Sequence, residues 1–134
     1  MKYKEVKDHR ESGQLLRHHL VDESGGKHGE YRVYHEDGQI WWHYFFSTDR
    51  KCGEVKAFKS DGILQHNFLM DGNGNELATV IFIGEPSEHT EEQLIEIAKE
   101  HNLPLLSELP KTEAERTHWN LKYPHLPCLP IESK

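Results

Sequence analysis

One short pattern recurs through the first two thirds of the chain. A glutamate is followed two positions later by a basic residue, then by an aromatic residue or histidine, and eight positions after the glutamate by a glycine. The copies run from Glu5 to Gly13, from Glu30 to Gly38 and from Glu54 to Gly62, and their glycines are 25 and 24 residues apart. A fixed period of this length indicates a repeat architecture in which each repeat is one supersecondary unit. The repeats therefore constrain the fold more than any single residue does.

Each repeat predicts a β-hairpin. Residues before the glycine read as a strand, and Asp37-Gly38 and Asp61-Gly62 are turn signals because glycine tolerates the positive φ of such turns. A degenerate fourth copy, from Glu76 to Gly84, is mostly apolar and predicts a buried closing strand. Successive hairpins predict one meandering antiparallel sheet of about seven or eight strands. The predicted returning strands are Leu15 to Val21, Ile40 to Phe46 and Leu64 to Met70.

The last third of the chain, residues 85–134, departs from the repeat pattern. Thr90-Glu91-Glu92-Gln93 is a capping-box signature and predicts an amphipathic helix over about residues 91–101. Thr112 repeats the capping signal before a shorter helical turn that we expect to end near Trp119. Three prolines then predict an extended tail, which carries several apolar residues. We expect the helix and tail to pack on the sheet or extend from it, within a single domain of residues 1–134.

The stretch from Gly26 to Gly38, which reads Gly-Lys-His-Gly-Glu-Tyr-Arg-Val-Tyr-His-Glu-Asp-Gly, resembles the bacterial MORN-repeat variant found in YwqK-like antitoxin proteins. Residues 51–62 are a looser copy, and the resemblance covers about residues 2–84. It implies a sheet of hairpin repeats and a role in binding a partner, because MORN-type repeats are scaffolds for protein or lipid contact. It carries over no catalytic residue, and a likeness of fold is a prior for function only.

Composition narrows the class of partner. The chain has 134 residues, 29% of them charged, and a formal charge of −7. This acidic balance does not attract nucleic acid or an anionic membrane, and it favours a basic protein partner. The chain contains no run of about 18 apolar residues and no apolar segment of a leader near Met1, so we expect a cytoplasmic protein.

The sequence offers little for catalysis. Cys52 and Cys128 have no zinc-ligand spacing, and no nucleophile motif is present. Eleven histidines raise a metal-dependent enzyme as an alternative, which would use His35 and His43 across one hairpin with a carboxylate of Glu36 or Asp37. We expect no enzyme activity, no metal and no cofactor, because histidines on a half-exposed sheet are the simpler interpretation.

Alternation of side chains along the returning strands predicts two unlike faces, with the adjacent Trp41 and Trp42 on opposite sides. We expect something to cover at least part of both faces. If the helix and tail cover the face that includes Trp42, the opposite face becomes the hypothetical surface for a partner protein, because it mixes aromatic and hydrogen-bonding groups. A homodimer is the alternative. The predicted partner-binding residues are Leu16, His18, Trp41, His43, Gln65 and Asn67.

Overall fold

The computed structural model describes residues 2–82 and 87–130. Seven strands form one antiparallel sheet in which each strand pairs with the next along the chain, so the predicted meander is confirmed. Gly84, which ends the degenerate fourth copy, lies outside the described residues. The strands are β1 (Lys4–His9), β2 (Leu15–Val21), β3 (Lys27–Tyr34), β4 (Ile40–Ser47), β5 (Arg50–Phe58), β6 (Leu64–Asp71) and β7 (Glu76–Phe82).

The repeat glycines close the hairpins as the sequence predicts. Between β3 and β4, the His35 N–H donates to the Gln39 carbonyl at 2.8 Å, and Gly38 has a φ of +90°. This is a three-residue loop that ends with glycine in the left-handed region. The Asp37 carboxylate accepts the Gln39 N–H at 2.9 Å and fixes the turn from within. Turn chemistry is therefore encoded locally in each repeat.

The C-terminal third folds into two helices joined by a short connection. The first helix, α1 (Glu91–Glu100), begins with the predicted capping box, in which the Thr90 side chain accepts the Gln93 N–H. The second, α2 (Glu113–Lys122), ends three residues beyond the predicted end at Trp119. A 3₁₀ turn at Leu106–Glu108, which the sequence did not predict, lies between them. None of the described helices has the length and apolar character needed to cross a membrane.

Both helices and the tail pack on one face of the sheet. Trp119 of α2 stacks on Phe45 of β4 with ring centroids 5.7 Å apart, and its indole N–H donates to the Leu126 carbonyl at 2.7 Å. From α1, Leu94 and Ala98 enter the same cluster. The buried residues of this core are Phe45, Cys52, Leu69, Ala78, Leu94, Ala98, Leu103, Leu105, Trp119, Tyr123, Leu126 and Cys128. We call this side of the sheet the covered face.

The opposite side of the sheet carries a second set of large side chains. Because side chains alternate along β4, Trp41 and Phe45 point to the covered face, and Trp42 and Tyr44 point to the other. The covered face is thus the one that holds the six residues predicted to bind a partner. The described residues of the C-terminal third share a core with the covered face only, so they do not meet the expectation that something covers part of both faces.

Candidate functional site

The predicted partner surface required the helix and tail to cover the face that includes Trp42. They cover the opposite face instead, which holds the predicted partner-binding residues. His18 and Asn67 are buried, His43 is mostly buried, and Leu16 and Gln65 are partly buried. Trp41 alone stays exposed, at 39% of its surface, and stacks on His35 with ring centroids 5.0 Å apart. The structure therefore does not bring these six residues together as one open surface.

Two of the predicted residues instead belong to internal clusters built on the repeat glutamates. The carboxylate of Glu30 is 2% exposed. Its Oε2 lies 2.7 Å from the Arg32 guanidinium and 2.8 Å from Nε2 of His43, while its Oε1 accepts the Leu129 N–H at 2.9 Å. Burial by itself would raise the pKa of Glu30, but the His43 hydrogen bond, the Arg32 charge and the Leu129 N–H together hold that pKa below its ordinary value.

The backbone beside Glu30 is shaped for the tail. Gly29 has a φ of +76°, and the pairing of β2 with β3 shifts register at this point, so the strand bulges. The bulge turns the Glu30 N–H out of the ladder, and it donates to the Pro127 carbonyl at 2.9 Å. A Cβ on Gly29 would lie 1.9 Å from that carbonyl oxygen. We call this unit of Gly29 and Glu30 the tail clamp.

An equivalent unit recurs one hairpin later. Gly53 has a φ of +89°, the Glu54 N–H donates to the Pro104 carbonyl at 2.9 Å, and Oε1 of Glu54 accepts the Leu106 N–H at 2.9 Å. Oε2 accepts from Asn67 at 2.9 Å, in the place where Glu30 contacts His43. We call Gly53 with Glu54 the inner clamp. The same bonds are thus made twice by two successive repeats.

The first repeat has the side chains of a clamp but not its backbone. Oε2 of Glu5 lies 3.5 Å from Nε2 of His18, and its Oε1 lies 3.7 Å from Nζ of Lys7. Lys4 stands where the other repeats have glycine, and the pairing of β1 with β2 is regular from Lys4 to Asp8. Without a bulge, this repeat offers no outward N–H of the same kind.

Sequence reasoning found the repeated glutamates but missed what they bind. The available signal was a second, shorter repeat in the C-terminal third. Residues 103–106 read Leu-Pro-Leu-Leu and residues 126–129 read Leu-Pro-Cys-Leu, so both fit the pattern Leu-Pro-x-Leu. Each of these segments docks on one clamp. Matching the two repeat families to each other would have predicted that each segment docks on one repeat, but not which face of the sheet it covers.

The uncovered side of the sheet carries a continuous set of stacked rings. His19 stacks on Tyr31 at 4.5 Å and Tyr31 stacks on Tyr44 at 5.2 Å, with both interplanar angles 17°. Trp42 meets His66 at 5.5 Å and 8° across the strand that lies between them. Trp42 meets Tyr44 edge to face at 6.4 Å, so ring contacts continue from strand β2 to strand β6. We call the set His19, Tyr31, Trp42, Tyr44, Phe46 and His66 the aromatic face.

Cations lie directly on the aromatic face. Nζ of Lys51 is 5.1 Å from the ring centroid of Tyr44 and 5.7 Å from that of Trp42. Nζ of Lys27 is 5.3 Å from the centroid of Phe46. These are cation–π distances, so each lysine is attracted to the negative face of a ring. Although the whole chain is acidic, this surface presents positive charge beside the half-buried rings of Trp42, Tyr44 and His66, while His19, Tyr31 and Phe46 are buried.

The two cysteines are buried, and the two histidines of the metal-dependent alternative are hydrogen-bonded within the fold. Burial, with the Asp71 carboxylate, raises the pKa of Cys52 to about 11, and burial also raises that of Cys128, so both thiols stay protonated near neutral pH. The rings of His35 and His43 bond the Phe58 carbonyl and Glu30 respectively. Within residues 2–82 and 87–130, no group of three His, Cys, Asp or Glu side chains is placed to hold a metal ion.

Acidification is expected to destabilise the fold through two buried histidines. Burial lowers the pKa of His18 and of His19 below the ordinary 6.5, despite nearby carboxylates. The unfolded chain then binds protons more readily, so the stabilisation is complete above the ordinary value and is lost as pH falls through and below it. The urea concentration at the unfolding midpoint should decrease as the pH is lowered from about 7.5 to about 5.5. In His19→Phe, which keeps a ring on Tyr31, this decrease in the urea midpoint should be smaller. A decrease equal to that of wild type would contradict the assignment of the pH dependence to His19.

No family model, no curated protein and no solved structure matches the chain.

Proposed function

We propose that this protein is a non-catalytic protein-binding module of MORN type, which acts in the cytoplasm by occluding a partner protein in the manner of an antitoxin or inhibitor. The observation that carries the proposal is the aromatic face, a stack of rings with two lysines on a sheet whose other side is braced by the C-terminal third. The proposal assigns partner binding to the aromatic face instead of the covered face, which holds the residues predicted from the sequence.

Rigid rings suit the centre of a protein interface. Aromatic residues are enriched among the residues that contribute most to binding, because they bury much apolar area at a low cost in side-chain entropy. Trp42 and Tyr44 are half-buried and already held by their neighbours, so little further order is lost when a partner binds. The phenol of Tyr44 stays neutral, since burial raises its pKa to about 12. It therefore serves as a hydrogen-bonding group at physiological pH.

The local charge identifies the chemistry of the partner. Lys27 and Lys51 lie on the rings, and Arg17 on the same face is 47% exposed and 3.4 Å from Asp8. A partner with carboxylates around an apolar centre would complement this surface. The formal charge of −7 favours a basic partner at long range, but Lys27 and Lys51 on the rings are cationic, while Arg17 is paired with the exposed carboxylate of Asp8. We therefore propose an acidic contact patch on the partner.

Neighbouring tryptophans provide a matched test of the face. Trp42→Ala should reduce capture of a specific protein from lysate of the source organism, by about 2 kcal/mol of binding free energy if Trp42 lies at the centre of the interface. Lys51→Glu should reduce capture more strongly at low salt than at high salt, because it places a negative charge opposite the partner's carboxylates. Trp41→Ala, on the covered face, should leave capture unchanged. Folding of each variant is checked by circular dichroism and thermal melting.

Two results would contradict the proposal. If Trp42→Ala and wild type capture the same protein equally, the aromatic face is not the binding surface. If Trp41→Ala alone loses the partner, the face first predicted from the sequence is the correct one.

The edges of the sheet offer little support for assembly by strand pairing. Strand β1 carries alternating charges, from Lys4 to Asp8, which disfavour addition of another strand. The outer edge of β7 is bonded to the residues that follow it, with the Thr79 N–H donating to His89 and the Val80 carbonyl accepting from Ser87. A homodimer would therefore form through the aromatic face, and light scattering across a dilution series of wild type and Trp42→Ala would reveal it.

A further inference from the structure

A cavity of about 220 Å³ opens between the end of α1 and the end of α2. Its apolar wall consists of Ala98 from α1 and of Leu103 and Leu105 from the connection that follows, and all three residues are buried. The ring of Tyr123 lines it from the end of α2. An apolar wall with a few polar groups at fixed positions is the usual form of a small-molecule site.

The polar groups of this cavity converge on Glu108. Its Oε2 lies 2.8 Å from Nζ of Lys122, and its Oε1 accepts the Leu105 N–H and the Tyr123 hydroxyl, each at 3.0 Å. Both carboxylate oxygens are therefore engaged within the fold. Glu108 thus fixes the Lys122 ammonium at the cavity, and this contact uses one of the three donors of that ammonium.

These groups keep definite charges near neutral pH. Burial would raise the pKa of Glu108, but the Lys122 side chain, the Leu105 N–H and the Tyr123 hydroxyl together hold that pKa below its ordinary value. The hydrogen bond to Glu108 raises the pKa of Lys122. Burial, with the Glu108 charge, raises the pKa of Tyr123 to about 12. The cavity therefore presents a carboxylate, an ammonium and a neutral phenol.

The charge of the lining favours an anion. Lys99 and Lys122 both line the cavity, and of its lining residues in the described part of the chain only Glu108 is acidic. Among the residues that the structure describes, the Lys99 ammonium has no salt-bridge partner. A neighbouring cavity of about 310 Å³ shares Glu108, Lys122 and Tyr123 but adds the carboxylate of Glu115, so its balance is acidic. An anion is therefore attracted to the first cavity and not to the second.

The end of α1 does not oppose an anion with bare carbonyl groups. The N–H groups of residues 101–103 donate to the carbonyls of residues 97–99 at 2.8–3.2 Å. The carbonyls of the last helical turn are thus satisfied by the chain itself. The positive charge of Lys99 and Lys122 is therefore not cancelled by unpaired oxygens at this point.

We propose that this cavity binds a small organic acid with a short aliphatic chain, whose carboxylate lies between Lys99 and Lys122. The chain packs on Leu103 and Leu105, and the carboxylate accepts from the unused donors of the two ammonium groups. The volume is below the range of about 300–1,000 Å³ that is typical of sites for drug-sized ligands, so the ligand is small. The cavity lies in the helical layer over the covered face, so it does not depend on the function proposed for the aromatic face.

Hexanoate is the probe, and 1-hexanol, which has the same number of carbon atoms without the charge, is its control. Binding to the whole chain, labelled with ¹⁵N, is followed by the shifts of backbone amide signals during titration. Hexanoate should bind about ten-fold more tightly than 1-hexanol, because a hydrogen bond to a charged group is stronger than one to a neutral group. The largest shifts should come from residues 98–105 and 122–123. Equal affinity for the two compounds, or shifts centred elsewhere, would overturn the proposal.

Lysine variants test the two ammonium groups. Lys99→Gln should weaken hexanoate binding about three-fold and Lys122→Gln about five-fold, since exposed charge pairs contribute modestly, while 1-hexanol binding stays the same. Lys111→Gln is the matched control, because Lys111 is exposed and does not line this cavity. If Lys111→Gln weakens binding as much as Lys99→Gln does, the attraction is non-specific and the proposal is wrong. Lys99→Gln leaves the contact of Lys122 with Glu108 intact, so the test remains valid if Lys122→Gln does not fold.

Trp42→Ala distinguishes this cavity from the aromatic face. Trp42 lies beside Lys51 on the other side of the sheet, so its removal should leave hexanoate binding unchanged. If Trp42→Ala weakens hexanoate binding and Lys99→Gln does not, the acid binds on the aromatic face and the proposal fails. Capture of a partner protein is measured separately, so either proposal can fail without the other.

Discussion

Gly29→Ala is expected to lower the free energy of unfolding by about 3 kcal/mol or more, with strain and lost contacts both contributing. The φ of +76° is unfavourable for any residue with a Cβ, and the added Cβ would lie 1.9 Å from the carbonyl oxygen of Pro127. The tail must then move, which breaks the bonds that the Glu30 N–H and carboxylate make with it. The variant should therefore lose both local backbone stability and the docking of residues 126–129.

Gly38→Ala is the matched control for this prediction. Gly38 has a φ of +90°, but a Cβ there would meet nothing within 4 Å. It should cost about 1 kcal/mol, which is the strain alone. Urea unfolding of the two variants, followed by Trp fluorescence and circular dichroism, separates strain from docking. Equal losses in the two variants would mean that the tail contact adds no stability.

Glu30→Ala is expected to cost about 3–5 kcal/mol, because it breaks a buried ion pair by removing one partner. The Arg32 guanidinium, Nε2 of His43 and the Leu129 N–H would all lose their acceptor, a carboxylate that is 2% exposed. A buried group left unpaired costs its full desolvation energy, which exceeds the net gain from forming one hydrogen bond. The loss should appear in the urea midpoint and as faster proteolysis of the tail.

Glu5→Ala is the control, since Glu5 occupies the equivalent position in the first repeat. Its side chain is 35% exposed, and its partners Lys7 and His18 lie at 3.7 Å and 3.5 Å. An exposed pair of this kind contributes less than about 1 kcal/mol. If Glu5→Ala is as damaging as Glu30→Ala, the clamp is not the source of the stability that we assign to it.

The pH dependence gives a second check on Glu30. Its pKa in the folded protein lies below the ordinary 4.5, so the unfolded chain takes up the proton first as pH falls. The stabilisation is complete above the ordinary value and is lost as pH falls through the folded value. The difference in stability between wild type and Glu30→Ala should therefore narrow below about pH 4.5. A difference that stays constant with pH would show that the carboxylate charge is not what stabilises the clamp.

The elements of this fold were predictable because the signals that define them are local. An Asp-Gly turn closes the β3–β4 and β5–β6 hairpins through bonds within five residues, as between His35 and Gln39. The capping box at Thr90 starts α1 through contacts three residues apart. Interactions of such short range leave their full pattern in a short stretch of sequence, so strand order, turns and the first helix could be predicted.

The candidate sites were predictable only in part. The repeat identified Glu30 and Glu54 as a class, and alternation correctly separated Trp41 from Trp42, but neither indicates which face is free. Both faces carry aromatic and polar residues with the same period of two, so the pattern fits either choice equally well.

The sequence by itself determined the repeated hairpins, their turns and the two sets of side chains that share a face. Tertiary structure alone decided which set is buried. The decision rests on two bulges that turn the N–H groups of Glu30 and Glu54 out of the sheet, toward segments that lie far along the chain. The Glu30 carboxylate bonds a residue 99 positions away, and the Glu54 carboxylate bonds one 52 positions away. Contacts at that separation depend on how the whole chain closes, so no pattern within one repeat indicates which face they cover.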